Sequence, residues 1–137
     1  MRLKAMAKIN LGLDVLGKRE DGYHEVRMIM QTIRMYDILD IRKTRRPGIV
    51  LTTNLPFIPT DQRNLVYKAA QMLMEEFDVE EGLSIKLRKF IPVAAGMAGG
   101  SSDAAAAFVG VNRMFHLGLT EEQLMERAVK VGADVPY

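Results

Sequence analysis

The sequence has no cysteine, which excludes disulfides, thiol catalysis and cysteine-ligated metals. Its two histidines, His24 and His116, lie far apart with no acidic cluster at ligand spacing beside them, so no structural metal site is expected. No run of about 18 apolar residues occurs, so no membrane span is predicted. The N-terminus lacks an apolar core followed by a small-residue cleavage site, and the chain reads as cytoplasmic. Neither sign of charge dominates: the net charge is +2, too small to argue for nucleic acid. The basic run Arg42-Lys43-Thr44-Arg45-Arg46 carries no interleaved aromatic residue and reads as a solvated hairpin tip before Pro47-Gly48. There is no internal repeat, linker or low-complexity segment.

What is present fits one domain with a real core: 137 residues, 48% of them hydrophobic and 26% charged. Ten methionines are expected to fill core gaps. Met6 to Leu16 partly alternates and predicts a strand. Lys18 to Gly22 reads as a turn, Val26 to Met35 as β-rich, and Asp37 to Arg42 as alternating again, with Ile38 and Ile41 offset by Leu39. Pro47-Gly48 turns the chain into Ile49 to Thr53, and an antiparallel or mixed sheet follows. Asn64 is placed to cap a helix running to about Phe77, with Leu65, Ala69, Leu73 and Phe77 as its buried stripe. Leu83 to Phe90 alternates as a half-buried strand, with Leu83, Ile85 and Leu87 on one face. A helix over about 102–115 would bury Ala104, Phe108, Val111 and Phe115. Thr120-Glu121-Glu122-Gln123 is a capping-box pattern for a third helix that stops near Gly132. This mixture of elements predicts an α+β fold.

The most informative stretch runs from Pro92 to Ala106: Pro92-Val93-Ala94-Ala95-Gly96-Met97-Ala98-Gly99-Gly100-Ser101-Ser102-Asp103-Ala104-Ala105-Ala106. Its glycines permit tight turns and close backbone approach to a ligand. Ser101, Ser102 and Asp103 are N-cap types ahead of an alanine-rich helix. The unpaired N–H groups and positive end of such a helix suit phosphate oxygens. A tight turn packed with small residues is the plainer alternative. No lysine follows the glycines, so this is not a Walker A loop. The spacing Gly-x-x-Gly-Gly is also not the dinucleotide fingerprint.

Phosphoryl transfer needs further groups. Lys8 stands on an otherwise apolar strand, Asp134 lies among small residues in Gly132-Ala133-Asp134-Val135-Pro136, and Tyr23-His24 follows a tight turn. Taken singly, Lys8 and Asp134 read better as a strand-edge lysine facing water and a turn aspartate, and Tyr23-His24 reads as an exposed hairpin pair or as a pair that stacks on a base.

In combination they carry a resemblance. Ala7-Lys8-Ile9-Asn10-Leu11, Arg19-Glu20-Asp21-Gly22-Tyr23-His24, Ile91-Pro92 through Ala106, and Gly132-Ala133-Asp134-Val135-Pro136 stand in the order found in the GHMP kinase superfamily, and together they span nearly the whole chain. The chain resembles the N-terminal half of that superfamily's branch acting on a cytidine-diphosphate ester of methylerythritol. The resemblance implies the GHMP kinase N-terminal, ATP-binding domain over residues 1–137, with a ribosomal-protein-S5-like α+β fold. It implies ATP and Mg²⁺ as cofactors and a small-molecule substrate rather than nucleic acid or membrane. Pro92, Val93, Ala94, Ala95, Gly96, Met97, Ala98, Gly99, Gly100, Ser101 and Ser102 would hold the ATP phosphates. Asp134 would be the general base and Lys8 would orient it, while Asn10, Tyr23 and His24 would contact the substrate. Met97 stands where leucine is usual, a volume-conserving exchange.

Family members are about twice this length, beyond one domain's usual size, so the reading is of a fragment without the C-terminal domain. The ending Asp134-Val135-Pro136-Tyr137, placed directly after a helix, agrees with it. Apolar surface bared where that domain docks would favour self-association. Two alternatives stay open: a homoserine- or mevalonate-type kinase of the same superfamily, and a non-catalytic S5-like module binding RNA or protein.

Overall fold

A computed structural model describes the backbone of residues 1–11, 29–90 and 99–132, with side chains described within 1–6, 36–90 and 102–132. Seven elements follow in order: β1 (Arg2–Leu11), β2 (Ile29–Thr44), β3 (Ile49–Thr53), α1 (Leu65–Glu76), β4 (Gly82–Arg88), α2 (Gly99–Met114) and α3 (Glu121–Ala128). The described strands form one mixed sheet in the order β1-β2-β4-β3. β1 and β2 are antiparallel, as are β2 and β4, whereas β3 runs parallel to β4 and reaches it through α1. The α+β expectation holds.

Alternation along the strands sorts the sheet into two faces. Leu39, Ile41, Leu51, Leu83, Ile85 and Leu87 are buried on one face. They meet Val66, Ala69, Ala70 and Leu73 of α1 and Ala104, Ala107, Phe108 and Val111 of α2 in a single core. The other face is polar. There Arg2 pairs with Asp40 at 2.9 Å, and Arg88 reaches the same carboxylate at 3.4 Å. Gly110 lets α2 lie close on the sheet, because a Cβ there would come within 2.5 Å of Leu3 Cδ1 and 2.6 Å of Ile41 Cδ1.

Several local expectations change. β1 begins at Arg2, four residues before the predicted strand, because Arg2–Ala5 pairs with Asp37–Asp40. The two predicted strands at 26–35 and 37–42 form one strand, β2. Its inward residues are Leu39 and Ile41 with Asp37, so Ile38 is only half-buried. The basic run is not a hairpin tip: β4 inserts between β2 and β3, pairing Arg42, Lys43 and Thr44 with Ser84, Leu83 and Gly82. Gly82 is required there, since any Cβ would collide with the Arg46 carbonyl and the Thr44 hydroxyl.

α1 has Asn64 as its N-cap, with the side chain accepting from Val66 N–H at 2.9 Å. Its buried stripe is Val66, Ala69, Ala70, Leu73 and Met74, leaving Phe77 exposed as the C-cap. The Thr120–Gln123 capping box is formed in full, and α3 ends at Ala128, ahead of turns that continue toward Gly132. Among the described residues no helix is long and apolar enough to cross a membrane.

Candidate phosphate site at the start of the second helix

The predicted helix at 102–115 begins three residues earlier, at Gly99. Gly99, Gly100, Ser101 and Ser102 are therefore its first turn rather than loop, and Asp103 is a helical residue rather than a cap. The first four N–H groups of a helix have no intrahelical carbonyl to receive them. In α2 those groups belong to these four residues, at the positive end of a 16-residue helix. The hydroxyl oxygen of Ser102 is buried there without a hydrogen-bond partner among the described residues. A buried polar atom left unanswered is costly. With the N–H groups that lack an intrahelical acceptor it makes a setting suited to an anion.

Beside this turn lies a cluster that sequence reasoning missed. Lys89 follows directly after β4, and its ammonium donates to Asp37 Oδ2 and to Asp103 Oδ2, both at 2.7 Å. Their side chains are 7%, 0% and 2% exposed in the order Lys89, Asp37, Asp103. The N–H of Phe90 donates to the other oxygen of Asp37 at 2.6 Å. Burial alone would lower the Lys89 pKa, but Asp103 and Asp37 outweigh it and hold the ammonium above the ordinary lysine value.

Asp103 moves the opposite way from a simple salt-bridged carboxylate. Burial, seconded by the neighbouring Asp37, raises its pKa to about 8 against the pull of Lys89. Its Oδ1 accepts no hydrogen bond from the described residues. The shift favours the protonated form of Asp103, which eases the burial of two carboxyl groups around one ammonium.

The advance signals were Asp37 two residues before Leu39 and four before Ile41, in register with the apolar side of its strand, and a lysine between an alternating strand and a proline. Neither is specific alone.

Of the other expected site residues, Lys8 and Asn10 lie on β1, where their backbones pair with Thr32 and Met30 of β2. The register shifts between Met6 and Lys8, an irregularity of the kind that re-aims strand residues next to functional sites. Tyr23, His24, Asp134 and the segment Pro92, Val93, Ala94, Ala95, Gly96, Met97, Ala98 lie outside the described residues.

Residues 64–137, which contain this helix and its approach, match the N-terminal domain of the GHMP kinases. The chain belongs to the GHMP kinase family. Over all of its 137 residues this GHMP chain is 56% identical to the 4-diphosphocytidyl-2-C-methyl-D-erythritol kinase of Caldicellulosiruptor bescii, covering 48% of that protein. A crystal structure of 4-(cytidine 5'-diphospho)-2C-methyl-D-erythritol kinase superposes with a TM-score of 0.72 at 35% identity, over 99% of this chain and 47% of that one. A mevalonate kinase crystal structure shares the fold at a TM-score of 0.71 and 16% identity, over 98% of this chain and 47% of that one. The chain spans about half the length of the curated relatives it matches.

Proposed function

We propose that this chain is the ATP-binding half of a kinase that moves the γ-phosphate of ATP to the 2-hydroxyl of 4-diphosphocytidyl-2-C-methyl-D-erythritol, in non-mevalonate isoprenoid precursor synthesis in the cytoplasm. The observation that carries the reading is 56% identity across the whole chain to a protein of that name. The first turn of α2, with its buried unpartnered Ser102 hydroxyl, is the supporting feature.

In this reading residues 92–102 receive the phosphate oxygens through backbone N–H groups. Asp134 accepts the proton of the attacking hydroxyl. That step needs no unusual pKa, since positioning and electrostatics carry most of phosphoryl transfer. Lys8 keeps Asp134 ionised and offsets charge developing on the transferred group. Asn10 positions the polar tail of the substrate, and Tyr23 and His24 contact its cytosine ring. Mg²⁺, which prefers substrate phosphates and water as ligands, supplies charge neutralisation when it arrives with the nucleotide. Phe57 and Phe90, 68% and 54% exposed, offer apolar surface through which the chain would self-associate.

The test is a calorimetric titration of the chain with 4-diphosphocytidyl-2-C-methyl-D-erythritol, mevalonate and homoserine in parallel. Binding of the cytidine compound alone supports the proposal. Binding of mevalonate or homoserine instead overturns the substrate assignment. No binding by any of them refutes the placing of the substrate contacts on this half.

A further inference from the structure

We propose that Asp37, Lys89 and Asp103 form a positioning clasp that fixes the first turns of α2 against the end of β4, and so sets the direction in which the helix presents its first-turn N–H groups. The ligand in this inference is the phosphate chain of the preceding section. The clasp itself stands on geometry that does not depend on that reading.

Lys89 is held at three points. Its N–H donates to Asn54 Oδ1 at 2.7 Å, and its carbonyl accepts from Asn54 Nδ2 at 3.2 Å. Its ammonium bridges Asp37 on β2 and Asp103 on α2 at 2.7 Å each. The next residue, Phe90, is tied to Asp37 through its N–H. Residues 89 and 90 are thus anchored to β2 and to the segment after β3, while Asp103 links the same point to α2, fourteen residues further on.

Apolar packing holds α2 on the sheet through Ala104, Phe108 and Val111. Such contacts are non-directional and leave small rotations and slides of a helix inexpensive. An ion pair with two short hydrogen bonds is directional. It is also a poor source of net stability once buried, because desolvation offsets most of the attraction. Its place at the one end of α2 whose orientation decides where an anion is met accords with positioning.

The experiment compares wild type with Asp103→Asn, which keeps an acceptor for Lys89, and Asp103→Leu, which removes it while keeping the branching at Cγ. Amide hydrogen exchange at residues 103–106 is read without nucleotide, and affinity for ATP and for adenosine by calorimetry. The leucine variant should exchange faster at those amides and bind ATP about tenfold more weakly, the loss of one charge-assisted hydrogen bond. Its adenosine affinity should be unchanged, and the asparagine variant should match wild type in all three readouts. If the leucine variant does not fold, Asp103→Ala removes the acceptor without added bulk. Equal losses for ATP and adenosine, unchanged exchange in the leucine variant, or an asparagine variant as poor as the leucine one would each overturn the clasp. Failure of the wild-type chain to bind ATP would overturn the nucleotide reading alone, because the exchange comparison is made without ligand.

Discussion

Asn54 and Lys89 bond to each other twice: Lys89 N–H donates to Asn54 Oδ1 at 2.7 Å, and Asn54 Nδ2 donates to the Lys89 carbonyl at 3.2 Å. The parallel ladder of β3 and β4 ends at Thr53 and Leu87. The asparagine side chain thus carries the strand connection beyond the last backbone pair. Replacing Asn54 by Ala should lower stability by about 1 kcal/mol, the usual net value of such bonds where water can compete. The shift in urea midpoint measures it, and an unchanged midpoint would mean that water replaces both bonds.

The proton on Asp103 makes stability depend on pH with a definite sign. Between the ordinary aspartate value of 3.8 and its folded value of about 8, the folded state keeps a proton that the unfolded state has released. Stability therefore falls as pH rises through that interval and levels off above it. Lys89, raised in the folded state, contributes stability that is fully present below its ordinary value of 10.5 and is lost as pH rises through its higher folded value. Asp103→Asn should flatten the decline between about pH 4 and 8 by up to one proton's worth. The urea midpoint of wild type should fall relative to that of the asparagine variant as pH rises across that range. Parallel curves would remove the buried proton.

Under the proposed function, Asp134→Asn should abolish turnover in the full-length kinase while leaving substrate affinity within about threefold, since an amide cannot accept the hydroxyl proton. Steady-state rates together with calorimetry decide this. Near-normal turnover would remove Asp134 from the base role.

His24→Ala should mainly weaken binding of the cytidine-bearing substrate, by about tenfold, the order of one lost stacking contact. ATP affinity should stay as it was. A fall in ATP affinity instead would reverse the assignment of the two ends of the cleft.

The parts of the fold legible in the sequence are those fixed by neighbours along the chain. Asn64 and Thr120 cap the helices they were expected to cap, because a cap is decided within four residues. Leu83, Ile85 and Leu87 face the core as their alternation indicates. The insertion of β4 between β2 and β3 had no local signal, and it is what undid the hairpin reading of the basic run. The start of α2 was misplaced because Gly99 and Gly100 disfavour helix, yet both lie inside it.

The candidate site divides the same way. Its small-residue run could be read directly. The burial of Asp37, Lys89 and Asp103 arises only when three separate elements meet.

The sheet order also governs how the molecule can come into being. β4 is the last of the described strands to be synthesised, yet it occupies an interior place, bonded to β2 on one side and to β3 on the other. A nascent chain that stops short of Gly82 has β2 and β3 separated by an unfilled gap, and each has a strand edge without a partner. Such edges invite pairing with other chains. Completion of the sheet is accordingly a late, long-range event on the ribosome, and folding should be slow for a protein of this size.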